Sequence, residues 1–459
     1  MADELTSKSA TELTQLIAAR SVSCVEVAEA HLRRIEKINP SLNAIVTIAP
    51  DVLESARAKD LELARGKSAG RLHGLPVTIK DTIDTEGIRT TYGSRIFAAN
   101  TPQHDALVVA RLKAAGAIIL GKTNVPEMAI PYETDNPVFG STNHPHDLSR
   151  TAGGSSGGEA SAIAADLSPA GVGSDLSGSL RVPAHFCGIA ALKPTTGIIP
   201  MDGHIPRATG PLALGACIGP MAGNIEDLTL LFAPMTGNTE PAPASTPNSK
   251  RGPIAWYVND AITPVDQDVA RAVAKAIEIL KDAGHDVREE VPPGFSEGQR
   301  LWIELFARAA AEQIREVYLG REDEAGPFVT PFLESKRKDS MEEKVEAAEA
   351  LARAIVERER RREELLRWMK ATPLIVSPVS ATAAFKHGAT RVDVNGESVS
   401  VFRSCSHSQS VNVFGLPAAV VPVSRSVEGL PIGVQVIGRP FHEAEVLAVA
   451  AIIERSTGF

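Results

Sequence analysis

Apolar positions near the start of the chain recur with the spacing of helices. Ser9 precedes Glu12 by three residues, and Ser23 precedes Glu26 by the same interval, which is the capping-box spacing that begins a helix. The second predicted helix turns apolar residues toward a core and ends near Pro40, because proline lacks the N–H group that a helix needs. The chain therefore begins with two short helices.

From about residue 74 the pattern changes to alternating strands and helices. Strands are predicted in "LPVTIKD" and "AIILGKT", a helix between them in "DALVVARLKAAG", and a helix that leads into a strand in "GEASAIAADLSPAGVGSD". Later strands are predicted in "PIAWYVND", "PLIVSPVS", "LPAAVVPV" and "IGVQVIG". Two of these, "PLIVSPVS" and "LPAAVVPV", are apolar enough to be buried on both faces. Such alternation is typical of an α/β fold.

Two polar stretches stand apart from this alternation. Residues 236–253 are rich in Pro, Asn, Ser and Thr, which predicts a surface loop. Residues 339–370 combine helix formers with a dense run of charges. We interpret that run as a solvated helix rather than a coiled-coil partner, because its apolar heptad is too short.

Composition and charge narrow the class of protein. The 459 residues carry a net charge of −9, which argues against a nucleic-acid surface. The start has no signal-peptide pattern, and no apolar run reaches the roughly 18 residues that cross a membrane. Four scattered cysteines are typical of free thiols in a reducing compartment; they are Cys24, Cys187, Cys217 and Cys405. We expect a cytoplasmic protein.

Three short motifs match known sites by spacing alone. Residues 116–123, "GAIILGKT", satisfy the P-loop pattern, but the residues between the glycines are themselves a predicted strand, and the first glycine is predicted to end a helix. Ser335 and Lys338 match the S-x-x-K motif of serine β-lactamases, yet they lie in a charged run that predicts exposure. His144 and His146 lack further ligands at metal-binding spacing.

A glycine-wrapped serine pair in "GGSSGGEA", residues 153–160, leads straight into strong helix formers. It therefore predicts a helix N-terminus rather than a linker. Ser155 satisfies the G-x-S-x-G nucleophile elbow of α/β-hydrolases. That hypothesis needs a downstream acid and then a histidine, and Asp393 with either His407 or His442 supplies the order. None of the three has a distinctive setting, so the elbow match is weak.

Lys80 ends the apolar strand predicted in "LPVTIKD". If it is buried, the low dielectric disfavours its ammonium form, and the neutral amine can serve as a base near neutral pH. The alternative is a lysine that only forms an ion pair with Asp81. The segment alone does not separate these two interpretations.

Taken together, four segments resemble the amidase signature family in order and spacing: "LPVTIKD", "GGSSGGEA", "GSDLSGSLRVPAHFCGIAALKPTTG" and "NVFGLPAAVVP". The resemblance covers nearly all of residues 1–459, with a helical lead-in over 1–60 and a divergent, largely helical insert over 236–370. It implies an α/β fold, with one large α/β/α domain and a mixed, twisted central sheet covered by helices on both faces.

The resemblance also implies a Ser–Ser–Lys triad and no cofactor or metal. Ser179 would be the nucleophile, Ser155 the bridging serine after a cis peptide bond, and Lys80 the terminal base. The backbone amides of residues 176–179 would form the oxyanion hole; these residues are Leu176, Ser177, Gly178 and Ser179. The family usually has glycine at position 177, so Ser177 would need an ordinary φ or would be strained.

The implied function is a hydrolase that cleaves C–N bonds of small-molecule amides, with esters and carbamates (urethanes) as related substrates. Such an enzyme would act as a monomer or homodimer. The alternative within the family is the glutaminase subunit of a tRNA-dependent amidotransferase, which would work in an obligate complex. A non-catalytic scaffold of the same fold is a third possibility, and the presence of all three triad positions argues against it.

Substrate choice is predicted to depend on the loop at residues 129–146 and on the insert. The part of the insert near residues 295–340 offers a set of large apolar side chains, which are Phe295, Leu301, Trp302, Phe306 and Phe328. They indicate either an apolar or aryl group in the substrate or an ordinary hydrophobic core.

Overall fold

The computed structural model describes residues 2–68, 70–237, 252–334 and 340–459. Ser335 and Lys338 lie outside these residues, as does most of the predicted loop at 236–253. The strands of the described residues are β1 Ile45–Ile48, β2 Pro76–Lys80, β3 Ile118–Thr123, β4 Asn143–His144, β5 Asp147–Thr151, β6 Ala170–Asp175, β7 Ala190–Lys193, β8 Cys217–Ala222, β9 Ile254–Trp256, β10 Val287–Glu289, β11 Leu374–Pro378, β12 Arg391–Val394, β13 Glu397–Ser400, β14 Ala418–Arg425 and β15 Pro431–Gly438.

The same residues form α-helices between and after the strands. These are α1 Ala2–Thr6, α2 Ala10–Ala18, α3 Cys24–Leu42, α4 Val52–Ala64, α5 Leu107–Ala114, α6 Gly157–Ala164, α7 Arg181–Cys187, α8 Ile225–Thr236, α9 Gln267–Asp282, α10 Gly298–Trp302, α11 Arg308–Tyr318, α12 Thr330–Glu334, α13 Met341–Trp368, α14 Val401–Ser404, α15 Ser406–Val413 and α16 Glu443–Thr457. In the described part of the chain, no helix is both long and apolar enough to cross a membrane.

Both predicted capping boxes are present at the start of the chain. The Ser9 and Ser23 hydroxyls each accept from the backbone N–H three residues on, and the glutamate there accepts from the N-cap amide. The second helix does not stop at Pro40 but continues to Leu42. It ends at Asn43, which takes the left-handed conformation with φ of 52°, an option that asparagine tolerates better than most residues.

One mixed sheet of eleven strands organises the molecule, in the order β1-β3-β2-β6-β8-β7-β14-β15-β11-β9-β10. Strand β2 is parallel to both β3 and β6, whereas β6 is antiparallel to β8 and β14 to β15. The predicted mixed α/β sheet is therefore confirmed. The lead-in contributes β1 at one edge, and the insert contributes β9 and β10 at the other.

Both faces of the sheet are covered by helices. In β14, Val421 and Val423 join an apolar cluster that includes Ile453 of α16. Val420, on the other face of the same strand, joins a second cluster with Phe186 of α7. Because successive strand residues point to opposite faces, α16 and α7 lie on opposite sides of the sheet. The residues Leu374–Pro378 of β11 are buried throughout, as the apolar pattern predicts.

Close strand contacts make one glycine of the sheet irreplaceable. A Cβ atom at Gly219, in β8, would overlap the Leu192 carbonyl oxygen of β7. We predict that Gly219→Ala destabilises the protein by about 1–3 kcal/mol, the usual range for overpacking. The matched control is Gly223→Ala, since a Cβ at Gly223 meets no atom within 4 Å. Thermal denaturation should show a lower apparent Tm for the first variant alone, and equal Tm values would contradict this account of the packing.

Candidate active site

The sheet topology brings three sequence motifs to one edge. Strand β2 ends at Lys80 and β6 ends at Asp175, and the two strands are parallel neighbours. Their carboxyl ends therefore meet at the same edge of the sheet. Ser155 lies in the turn before α6, after a cis peptide bond between Gly154 and Ser155. The Ser156 N–H donates to the Ser179 carbonyl at 3.2 Å, which joins this turn to the loop that follows β6.

Lys80 is fully buried and points at the serine turn. Its Nζ donates to Ser155 Oγ at 2.7 Å and to Ser174 Oγ at 3.0 Å. Burial lowers the pKa of Lys80 to about 7, although the charges of Asp175 and Glu159 act in the opposite direction. Lys80 therefore has the contact and the proton affinity of a general base near neutral pH.

Asp81 is directed away from the amine of its neighbour. Its carboxylate accepts from the Thr91 N–H at 3.0 Å and from the Thr91 hydroxyl at 2.5 Å. No salt bridge joins Lys80 to Asp81 in the described part of the chain. The contacts of both residues favour the base interpretation over the ion-pair interpretation.

Ser174 and His204 extend the contacts of Lys80, and sequence reasoning missed both. His204 Nδ1 lies 2.9 Å from the Pro206 carbonyl, which can only accept, so Nδ1 carries the proton and Nε2 is an acceptor. Ser174 Oγ lies 2.8 Å from that Nε2, so its hydroxyl donates to His204 and accepts from Lys80. A lone histidine in "GHIP" carries no spacing signal that could have revealed this chain of hydrogen bonds.

The nucleophile-elbow hypothesis fails on geometry. Asp393 is exposed on the small β12–β13 hairpin. His407 is buried with its Nδ1 3.4 Å from Asp260, and His442 contacts Glu445 at the start of α16. The hydroxyl of Ser155 contacts Lys80 instead.

Asp175 fixes the shape of the loop that carries Ser179. Its carboxylate accepts from the N–H groups of Gly178 at 2.8 Å and Leu180 at 3.1 Å, and from the Arg181 guanidinium at 3.0 Å on each oxygen. Burial alone would raise the pKa of Asp175, but the charge and hydrogen bonds of Arg181 outweigh burial and hold it well below its usual range. Both residues lie inside the "SDLSGSLR" motif, although only its serines were assigned roles from the sequence.

Ser177 adopts an ordinary φ, and the left-handed position falls on Gly178, with φ of 105°. A side chain at Gly178 would also place a Cβ 2.7 Å from Ser408 Cβ. The Tyr132 hydroxyl donates to the Ser177 carbonyl at 2.6 Å and makes a very short contact with the Ser177 hydroxyl. Because a phenol has one proton, the Ser177 hydroxyl is the donor in that second contact.

A cavity of about 540 Å³ opens over the two serines. Ser155 and Ser179 lie on its wall, with mostly apolar residues around them; among these are Met128, Ile130, Tyr132, Trp302, Phe328 and Phe402. The aromatic residues of the insert are thus divided. Trp302 and Phe328 line the cavity, whereas Phe295, Leu301 and Phe306 are fully buried in a core with Phe414.

The remaining motifs have structural explanations. In the P-loop match, residues 118–123 form the buried strand β3, and Gly116 follows the end of α5 with a positive φ. His144 uses both ring nitrogens on backbone partners, the Phe186 carbonyl at 2.8 Å and the His146 N–H at 3.1 Å. The cysteines are free and buried.

Comparisons with known proteins agree on a family and differ in the names of its members. The family model described as Amidase matches residues 26–447. A glutamyl-tRNA(Gln) amidotransferase subunit from Carboxydothermus hydrogenoformans is 35% identical, with 99% of this chain and 98% of that protein covered. A solved structure of an amidase superposes with a TM-score of 0.87 at 26% identity, covering 98% of this chain and all of the other.

A second solved structure carries the name of a small-molecule hydrolase. The 6-aminohexanoate cyclic dimer hydrolase in complex with its substrate has a TM-score of 0.83 at 26% identity, with 99% of this chain and 98% of that chain covered. Sequence relatives and structural relatives thus share the fold and carry different activities in their names.

The pKa of Lys80 predicts a specific dependence of activity on pH. Because the neutral amine is the base, kcat/KM on an amide should rise with pH and level off above about 7. Burial raises the pKa of Glu159 to about 7 as well, so the kinetic profile must separate the two groups. Glu159→Gln does so, since its lost carboxylate no longer raises the pKa of Lys80. The limb should move to lower pH.

The profiles of both proteins would be measured between about pH 5 and 9, on either side of the expected pKa. Lys80→Met is the control and should lose about 10²–10⁴-fold in turnover, as expected for loss of a general base. Disappearance of the pH limb in Glu159→Gln would assign it to Glu159 and contradict the role of Lys80.

Proposed function

The chain belongs to the amidase signature family, and we propose that it hydrolyses the C–N bond of amides through an acyl-enzyme on Ser179. The observation that carries this proposal is the 2.7 Å contact between the buried Lys80 amine and the Ser155 hydroxyl. A serine hydroxyl is a weak nucleophile until a base takes its proton. The contact supplies that base at one remove, and Ser179 lies on the wall of the same cavity as Ser155.

The proton path follows from these positions. Ser155 passes its proton to neutral Lys80 and accepts the proton of Ser179, whose oxygen bonds to the amide carbon while the carbonyl oxygen becomes an oxyanion. Collapse of this intermediate breaks the C–N bond, and the departing nitrogen takes a proton from Ser155 as Lys80 returns one. Water then attacks the acyl-enzyme by the same path and releases the acid. No cofactor enters either step.

Backbone amides of the loop after β6 would stabilise the oxyanion. Among the four amides predicted from the sequence, the Gly178 N–H already donates to Asp175 at 2.8 Å. The hole would therefore depend on the amides of Leu176, Ser177 and Ser179. The Ser177 hydroxyl is engaged with Tyr132, which makes it a neighbour of the acyl group rather than a further donor.

For the substrate, we propose an amide with an apolar or aryl group. The apolar wall formed by Met128, Ile130, Trp302 and Phe402 supports this choice, since such surfaces bind groups that gain by leaving water. Esters and carbamates present the same acyl carbon to Ser179. They are proposed as related substrates.

The second candidate is a glutaminase subunit of a tRNA-dependent amidotransferase, and the names of the curated relatives favour it. Glutamine carries a carboxylate and an ammonium, which need polar partners when they leave water. Among the described residues, Arg207 is the one arginine or lysine on the cavity wall, and it is exposed. Glu133, also on the wall, is held by His387 at 2.8 Å and by the Gly388 N–H at 2.9 Å.

The identity of the nucleophile is directly testable with a fluorophosphonate probe, which bonds only to an activated serine. We predict an adduct on Ser179, located by peptide mass spectrometry, and loss of both labelling and turnover in Ser179→Ala. Ser155→Ala should slow labelling without moving it, and should impair amides more than esters, because an amine needs a proton to leave. Ser177→Ala, a neighbouring change that keeps the amide, should still be labelled. A stable adduct on Ser155 would overturn the assignment.

A substrate panel separates the two candidate functions. We expect p-nitroanilides with apolar acyl groups, p-nitrophenyl esters and aryl carbamates to be hydrolysed by the isolated chain, and L-glutamine to be hydrolysed far more slowly. Arg207→Gln is the matched variant. It should leave apolar anilides unaffected, whereas a glutaminase that binds the substrate carboxylate through Arg207 should lose a charge-assisted hydrogen bond, and glutamine kcat/KM should fall about tenfold or more. Efficient glutamine hydrolysis that falls in Arg207→Gln would establish the second candidate.

A further inference from the structure

Two aromatic side chains grip successive carbonyl groups of the loop before Ser179. The Trp302 indole donates from Nε1 to the Leu176 carbonyl at 2.8 Å. The Tyr132 hydroxyl donates to the Ser177 carbonyl at 2.6 Å. Trp302 belongs to the insert and Tyr132 to the loop at residues 129–146, so two separate segments reach the same three-residue stretch.

The planarity of the peptide bond turns these grips into a constraint on N–H direction. In a trans peptide the C=O and N–H groups point in opposite directions. The peptide between Ser177 and Gly178 shows this, since its carbonyl faces Tyr132 and its N–H donates to Asp175. By the same geometry, the Leu176 carbonyl on Trp302 directs the Ser177 N–H away from the indole.

We propose that Trp302 and Tyr132 are positioning residues that hold the amides of the nucleophile loop in the orientation that stabilises the oxyanion. This inference rests on the proposed function. Without the indole, the peptide between Leu176 and Ser177 is free to rotate, and a half-turn would aim a carbonyl oxygen where the N–H had been. A carbonyl oxygen there repels the developing negative charge that the amide would stabilise.

The indole is itself held by other rings. Its centroid lies 5.2 Å from that of Phe402 and 5.9 Å from that of Phe306, the latter edge-on. Phe402 also faces Tyr132, at 6.4 Å. Trp302, Phe402 and Tyr132 all line the cavity. The surface that contacts the substrate therefore also holds the loop that performs the chemistry.

The experiment compares Trp302→Phe with Trp368→Phe. The second change is the matched control, since Trp368 donates its indole N–H to Glu290 and is absent from the cavity wall. With p-nitroacetanilide and p-nitrophenyl acetate, Trp302→Phe should lower kcat at least about tenfold, toward the 10²–10³-fold cost of losing one oxyanion donor. The KM should stay within about threefold, because an interaction made only in the transition state is lost. The control should match the parent protein.

A transition-state mimic gives a readout that a merely structural role would not move. Phenylboronic acid forms a tetrahedral adduct with a nucleophilic serine, and its Ki should rise by the same factor as kcat/KM falls. Tyr132→Phe, which frees the Ser177 carbonyl, should show the same pattern and serves if Trp302→Phe does not fold. Rates would be normalised to the fraction of protein labelled by a fluorophosphonate.

Two results would overturn the inference: a normal kcat in either variant, or a raised KM with kcat unchanged, which would make the residues wall contacts only. Failure of the proposed function is a different result. Activity that persists in Ser179→Ala would show it, whatever the two aromatic variants do.

Discussion

The hydrogen bond between the Lys80 amine and the Ser155 hydroxyl, 2.7 Å long and closed to water, requires an environment that much of the fold supplies. A charged amine cannot be buried alone without a large cost in solvation free energy. Strand β2 lies inside the sheet between β3 and β6, so Lys80 has no route to solvent along its own strand. The neighbouring carboxylates of Asp175 and Glu159 keep its pKa from falling further than about 7.

A second buried group shapes the partner loop. Arg181 is fully buried and bonds Asp175, Gln435 at 2.9 Å and Asn412 at 2.6 Å, which connects the nucleophile loop to β15 and α15. Buried ion pairs contribute little net stability when desolvation is counted. Their value here is geometric, since the carboxylate that Arg181 holds also binds two amides of the loop. The C-terminal part of the chain thus completes a site whose motifs all lie before residue 182.

Local sequence predicted the strands and the helix caps because these depend on residues a few positions apart. The apolar run that ends in Lys80 and the box of Ser23 with Glu26 are examples. The contact of Trp302 with Leu176 spans 126 positions, and no pattern within either segment marks it. The insert shows a second limit. Residues 303–307 form a π-helical turn, whose extra residue shifts the helix face, so apolar spacing could not separate Trp302 on the cavity wall from the buried Phe306.

The central claim is that Lys80 is a neutral amine at the pH where the enzyme works. Nuclear magnetic resonance of protein labelled with 13C and 15N in lysine measures this without substrate, by following the side-chain signals that Lys80→Met lacks. The account predicts that those signals titrate near pH 7, and that their midpoint falls in Glu159→Gln. A midpoint near that of free lysine, about 10.4, would contradict the account, because the amine would then remain charged and could not accept the proton of Ser155.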